Sequence, residues 1–247
     1  MHYAVEINNL SKEFIQKEKP ASFLASKRNK KNIVALDDIN LQIKKGECFG
    51  LVGINGSGKT TLLKLLATLI LPTKGTANIN GYDIVRDAIK VCAITGFVSS
   101  GQRSFYWRLT GRQNLEFFAA LYELFQLEAR RRIDELATLL EIEKYMDFTF
   151  YNCSAGIQQR FFLAQSLLHN PDVLLLDEPM KGLDTVIAKQ LWSFIKEKFV
   201  REQGKTVLFT THDHDEMAMF SDRMAILEHG QIKTVGTRDG LGDVELL

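Results

Sequence analysis

With 247 residues, 45% of them hydrophobic and 25% charged, the chain has the make-up of a soluble globular protein and the length for one large or two small domains. A net charge of +1 gives no field for nucleic acid or an anionic surface. No apolar run approaches the ~20 residues that span a bilayer. Residues 1–6 have neither the basic start nor the apolar stretch of a secretory leader. The widely spaced Cys48, Cys92 and Cys153 suit a reducing compartment without disulfides, so a cytoplasmic chain is expected.

In chain order, residues 3–50 read as short strands. Residues 39–43 alternate apolar and polar, and Lys45-Gly46-Glu47 marks a turn. Between Phe14 and Ile33 lies a polar insertion with Lys17, Lys19, Lys27, Arg28, Lys30 and Lys31, and Glu18 as its acid. It reads as a solvated hairpin tip, or as a contact for anionic lipid or a partner. A short apolar strand, 48–52, then delivers Gly53-Ile54-Asn55-Gly56-Ser57-Gly58-Lys59-Thr60, and a helical run continues from Thr61. The glycines let successive backbone N–H groups turn into one concavity, and the helix start adds its positive dipole end. Such a strand–loop–helix unit predicts polyphosphate binding. Lys59 supplies a mobile cation for the β- and γ-phosphates, and the Thr60 hydroxyl a Mg²⁺ ligand. The candidates for nucleotide contact are Gly53, Asn55, Gly56, Ser57, Gly58, Lys59, Thr60 and Thr61, and a nucleoside triphosphate is the expected ligand.

Residues 75–81 read as a small glycine-bounded strand and 93–98 as another. The stretch 110–145 turns helical, with helices over 114–124 and 128–140. Strand and helix then alternate: helix 155–168, strand 173–177, helix 184–200, strand 206–210, helix from about 213 and strand 224–227. This implies an α/β fold with a parallel sheet covered by helices on both faces. Strand 173–177 carries Asp177-Glu178 to the carboxyl edge, where such sheets bind ligands. Asp177 is the metal-holding candidate, and Glu178 the acceptor of a proton from an attacking water. His212 ends the next strand. Parallel neighbours end at one edge, so it is expected to reach the same phosphates, whereas His214 has no such place. Ser154 is a good N-cap for helix 155–168, and the small residues after it leave bare N–H groups at the helix mouth.

Phosphate loop, capped small-residue helix, Asp-Glu strand end, Gly182-Leu183-Asp184 and His212 stand in the order and spacing of ATP-binding-cassette ATPases. Over about residues 3–236 the chain resembles their nucleotide-binding domain. The resemblance implies a P-loop NTPase core with a mostly parallel sheet, an N-terminal antiparallel β subdomain and an inserted helical subdomain at about 103–170. Together these would make one domain over 1–247. ATP and Mg²⁺ are the implied ligands, with Glu178, His212 and Lys59 as the catalytic set and Thr60, Asp177 and Gln102 as the metal set. Phe14 takes the adenine-stacking position. Ser154, Ala155 and Gly156 match the signature loop, which in the family contacts the γ-phosphate held by the opposite subunit. Asp184 matches the acid of the loop that crosses the dimer interface. Three departures stand out. Cys153, Ala155 and Ile157 relax the signature toward that of bacterial export-type cassettes. Gln102 is displaced by a residue or two from the hinge-glutamine position, and Met180-Lys181 replace smaller polar residues.

The resemblance implies the ATPase subunit of a membrane exporter. Two copies would sandwich two ATPs and drive a separate transmembrane permease, with no nucleic-acid partner. The chain would be peripheral at the cytoplasmic face of the inner membrane, touching it only through the permease. The aromatic stretch 104–110 is expected to be exposed for docking. Polysaccharide, lipid-linked glycan, lipid and drug are the cargo classes to consider. The alternative is a soluble cassette ATPase acting as an assembly or repair scaffold. Against it stand the lack of a coiled-coil insertion, of a second cassette and of a cysteine cluster.

Overall fold

The computed structural model describes residues 3–17, 30–99 and 104–237. β1 (Tyr3–Lys17) and β2 (Lys30–Lys44) form one long antiparallel hairpin, running from Tyr3 opposite Lys44 to Lys17 opposite Lys30. β3 (Cys48–Val52) leads through the phosphate loop into α1 (Lys59–Leu66). β4 (Lys74–Ile79) and β5 (Tyr82–Asp83) complete an antiparallel sheet in the order β2-β1-β4-β5. Next come α2 (Ala88–Ile94) and β6 (Thr95–Ser99), then a helical layer of α3 (Gly111–Leu121), α4 (Gln126–Leu139) and α5 (Ala155–Leu167). The chain ends in β7 (Val173–Asp177), α6 (Thr185–Phe194) with a π-helical continuation Ile195–Glu202, β8 (Thr206–Thr211), α7 (His214–Phe220), β9 (Arg223–Glu228) and β10 (Gln231–Gly236). The second sheet has the order β10-β9-β3-β8-β7-β6, parallel except for β10.

Its central strands β3, β7 and β8 are buried at every position because both faces are covered. Along β7, Val173 and Leu175 join a core shared with α1 and the antiparallel sheet, while Leu174 and Leu176 join the core under α3 to α6. In β8, Leu208 faces the first core and Val207 and Phe209 the second. The period of two thus ties two cores to one sheet and brings the carboxyl ends of β3, β6, β7 and β8 to one edge. Alternating β and α elements around a buried parallel sheet bear out the expected fold class.

Local expectations differ in places. The described residues of this region form two long strands, Tyr3–Lys17 and Lys30–Lys44, rather than several short ones. Ala93 and Ile94 end α2, so the strand expected at 93–98 begins at Thr95. α3 starts at Gly111, ahead of the expected 114, because Thr110 forms a capping box. Its hydroxyl accepts from Gln113 N at 3.2 Å, and Gln113 Oε1 accepts from Thr110 N at 2.9 Å. The helix expected over 184–200 is α6 plus its π-helical continuation. Most of the basic insertion, together with Gln102, lies outside the described residues.

The aromatic stretch needs a correction. Phe105 is 3% exposed, within 4.6 Å of Phe150 and 5.2 Å of Phe162 by ring centroid, and so belongs to the core beneath the helical layer. Tyr106 and Trp107 are the exposed members, at 51% and 46%.

Candidate active site

The phosphate loop is shaped by what its glycines avoid. A Cβ at Gly53 would lie 2.2 Å from Leu227 O, and one at Gly58 would lie 2.6 Å from Ala35 O. Gly58 also holds φ at 112°, in the region that side chains disfavour. It is the N-cap of α1 and supplies no side-chain hydrogen bond there, leaving the helix start to bind an anion by its own N–H groups. Lys59 is 5% exposed, and its Nζ donates to Gly53 O at 2.5 Å and Ile54 O at 3.1 Å. Burial pushes its ammonium below the usual lysine value, against the pull of Glu178 and Asp177. Ser57 Oγ is buried without a hydrogen-bond partner inside the loop.

Sheet register assembles the metal-type end of the site. Ser99, Asp177 and Thr210 stand opposite one another at the ends of β6, β7 and β8. Asp177 is 3% exposed, and hydroxyls surround its carboxylate: Thr60 Oγ1 donates at 2.9 and 3.0 Å, Thr210 Oγ1 at 2.9 Å and Ser99 Oγ at 3.3 Å. These are oxygen donors alone, the set a hard divalent cation takes. One carboxylate leaves most of the shell to phosphate oxygens and water, as Mg²⁺ prefers. Among the described residues no cluster of three or more His, Cys, Asp or Glu forms a metal cage of its own.

Glu178 follows with φ at 48° and its N–H donating to Thr210 Oγ1 at 2.9 Å. Its side chain is 11% exposed. Lys181 Nζ lies 2.7 Å from Oε2, and His212 Nδ1 3.6 Å from Oε1. Burial raises the Glu178 pKa, but Lys181, His212 and Lys59 outweigh it, and the carboxyl sits below its ordinary value. His212 is held by a polar turn in which Asp213 N donates to Thr211 Oγ1, and Thr211 Oγ1 donates to Glu216 Oε2, each at 2.9 Å. Lys59, Thr60, Asp177, Glu178 and His212 are therefore brought to one sheet edge.

The remaining candidates lie elsewhere. Ser154 caps α5, its Oγ accepting from Ile157 N at 3.4 Å, and Gly156 faces α6, where an added Cβ would be 3.2 Å from Ile187 Cγ2. Among the described residues, no hydrogen bond or ion pair joins Ser154, Ala155 or Gly156 to the phosphate loop, Asp177, Glu178 or His212. Asp184 caps α6, accepting from Val186 N and Ile187 N at 3.0 Å. Phe14 is 41% exposed in the hairpin, with Lys12 Nζ 5.0 Å from its ring centroid. Ser99, Thr210 and Lys181 were not foreseen as site residues. The strand-end register marks the first two, whereas Lys181 comes within reach only through the left-handed turn at Glu178.

Residues 36–181 match the family model described as ABC transporter. The chain belongs to the ABC transporter family. It is an ATPase cassette of that family, and ATP is its ligand. It is 33% identical over 216 residues to the ABC transporter ATP-binding protein NatA of Bacillus subtilis, covering 87% of each chain. It is 35% identical over 210 residues to the probable multidrug ABC transporter ATP-binding protein YbhF of Escherichia coli, covering 85% of this chain but 36% of that protein. Among solved structures it is similar to the ATP-binding cassette MJ0796 in its dimeric post-hydrolysis state bound to ADP and Pi. That match has 28% identity and a TM-score of 0.79, over 95% of this chain and 98% of that one. Among the described residues no helix is long and apolar enough to cross a membrane.

Proposed function

We propose that this cassette is the ATPase subunit of a membrane exporter, acting as one nucleotide-binding domain over 1–247 with its helical subdomain at about 103–170. The observation that carries the reading is the shared sheet edge, where the Thr60–Asp177 pair and the Glu178–His212 pair stand beside Lys59. In this reading the phosphate loop, from Gly53 to Thr61, holds the triphosphate, Lys59 exchanges its loop carbonyls for the β- and γ-phosphates, and Phe14 stacks on adenine. Thr60 and Asp177, with Gln102, would hold Mg²⁺, which when bound would supply positive charge to offset that of the phosphates. Glu178 takes a proton from water as the water oxygen bonds to the γ-phosphorus and the bond to the ADP oxygen breaks. His212 contacts the γ-phosphate from the neighbouring strand end.

The signature residues Ser154, Ala155 and Gly156 make no bond to this edge within one chain, which supports a second copy supplying them, with Asp184 at the interface. The dimeric state of the MJ0796 cassette supports the same arrangement. The likeness to YbhF, a probable multidrug transporter protein, favours a drug as cargo. The chain would sit at the cytoplasmic face of the inner membrane through a separate permease.

Glu178→Gln is expected to keep ATP binding while cutting hydrolysis by ~10²–10⁴-fold, the worth of a positioned base. With ATP and Mg²⁺ the variant should persist as a dimer in light scattering while the unmodified chain dimerises transiently. Normal hydrolysis by the variant would move the base elsewhere, and failure to co-purify with any membrane protein would reject the exporter.

A further inference from the structure

Glu178 is almost buried, yet it is gripped from solvent. Lys181 is 56% exposed and reaches back across three residues to set its ammonium 2.7 Å from Oε2. The grip is built into the backbone: Glu178 turns the chain with φ at 48°, and Lys181 N donates to Glu178 O at 3.2 Å, closing a tight turn. That turn, rather than a helix, brings residues three apart face to face. The other groups facing the carboxylate are His212, 3.6 Å from Oε1, and the charge of Lys59.

We propose that Lys181 is a positioning residue for ATP hydrolysis, its ammonium holding the Glu178 carboxylate in a locked posture that must open before Glu178 can meet the attacking water. The inference rests on the reading of Glu178 as proton acceptor. Two features of the site favour a lock over a permanent support. The ammonium occupies Oε2, the oxygen not faced by His212, so with Lys181 in place that oxygen is not open to water, while Oε1 has the imidazole Nδ1 3.6 Å away. Lys181 is also the exposed, flexible partner, able to leave for another anion. An incoming triphosphate, held by Lys59 beside the same carboxylate, brings that anion and competes for the ammonium. The pair is then a nucleotide-released catch, present in this chain because Lys181 stands where the resemblance leads one to expect a small polar residue.

The test is steady-state ATPase of the full chain with MgATP, comparing Lys181→Met, Lys181→Arg, Glu178→Gln and the double variant Glu178→Gln with Lys181→Met. Methionine keeps the length and loses the charge. An exposed ion pair is worth little, so kcat of Lys181→Met should rise by only about two- to fivefold, with KM within about twofold. Lys181→Arg should restore the unmodified rate. Single-turnover rates of Glu178→Gln and of the double variant should be equal, because the carboxylate that Lys181 grips has gone. Lys181→Met no faster than the unmodified chain would overturn the proposal. So would acceleration that persists in the Glu178→Gln background, since the effect would then bypass the carboxylate. The two readings fail separately: Glu178→Gln at full rate removes Glu178 as acceptor and the catch with it. A dead Glu178→Gln beside an unaccelerated Lys181→Met removes the catch alone. Binding of a fluorescent ATP analogue to each variant establishes that its nucleotide site is folded.

Discussion

Lys59 keeps its ammonium inside the loop it serves, bridging Gly53 O and Ile54 O while burial works against its charge. A triphosphate would offer the same ammonium far stronger acceptors, and hydrogen bonds to charged groups contribute about 1.5–3 kcal/mol each. Lys59→Ala is therefore expected to abolish tight ATP binding. A fluorescent ATP analogue that bound the variant within about twofold of the unmodified chain would reject this role. Such residues were legible in the sequence because the loop's chemistry is contiguous, eight residues in one local geometry. Asp177, Glu178 and His212 were legible because each ends an apolar strand. Ser99 and Thr210 were not, since only the register of β6, β7 and β8 sets their hydroxyls around Asp177. Lys181 was opaque for another reason: its contact depends on the left-handed backbone at Glu178, which no spacing rule announces.

Among elements, the stretch before α3 shows how an aromatic run divides between core and surface. Phe105 packs against Phe118, Phe150 and Phe162, with ring centroids at 5.4, 4.6 and 5.2 Å, and pins α3 to α5. Tyr106 and Trp107 turn outward, Tyr106 edge-on to Phe117 at 5.1 Å and Trp107 beside the exposed Tyr151 at 6.0 Å. Composition alone could not sort these, because the irregular stretch has no period that assigns one residue inward and the next outward. Phe105→Ala is expected to cost about 3–5 kcal/mol of stability in denaturant unfolding, as for other buried phenylalanines. Tyr106 and Trp107 together changed to Ser should leave the isolated chain's ATPase near normal, yet release the permease. Exposed aromatic anchors at interfaces are often worth ~2 kcal/mol or more each. Undisturbed co-purification with the permease would place the docking surface elsewhere. An unfolded double variant would show Trp107 to be part of the core.

For the whole molecule, the division of the site is the feature with the largest consequence. In the proposed reading the phosphate loop and strand ends form one half; among the described residues, Ser154 caps α5 and Gly156 packs against Ile187 of α6, with no bond from either to that half. If a second copy supplies the missing half, damage to the two halves should complement when carried on different chains. Gly156→Glu would set a carboxylate against the γ-phosphate of the partner's site, a like-charge clash in a water-poor interface. Its Cβ would lie 3.2 Å from Ile187 Cγ2, so a shift of a few tenths of an ångström accommodates it, and nucleotide binding by the variant chain should stay near normal. Alone, Gly156→Glu and Lys59→Ala should each be inactive, since both sites of each homodimer are damaged. Mixed in equal amounts, half the dimers pair one variant with the other. In each such dimer both defects fall in one site and the second site is intact, so up to about one quarter of the unmodified rate should return. The measurement is ATPase activity of each variant and of the mixture at one total protein concentration. Wild-type activity from Gly156→Glu alone, or a mixture as inactive as its components, would exclude the shared site.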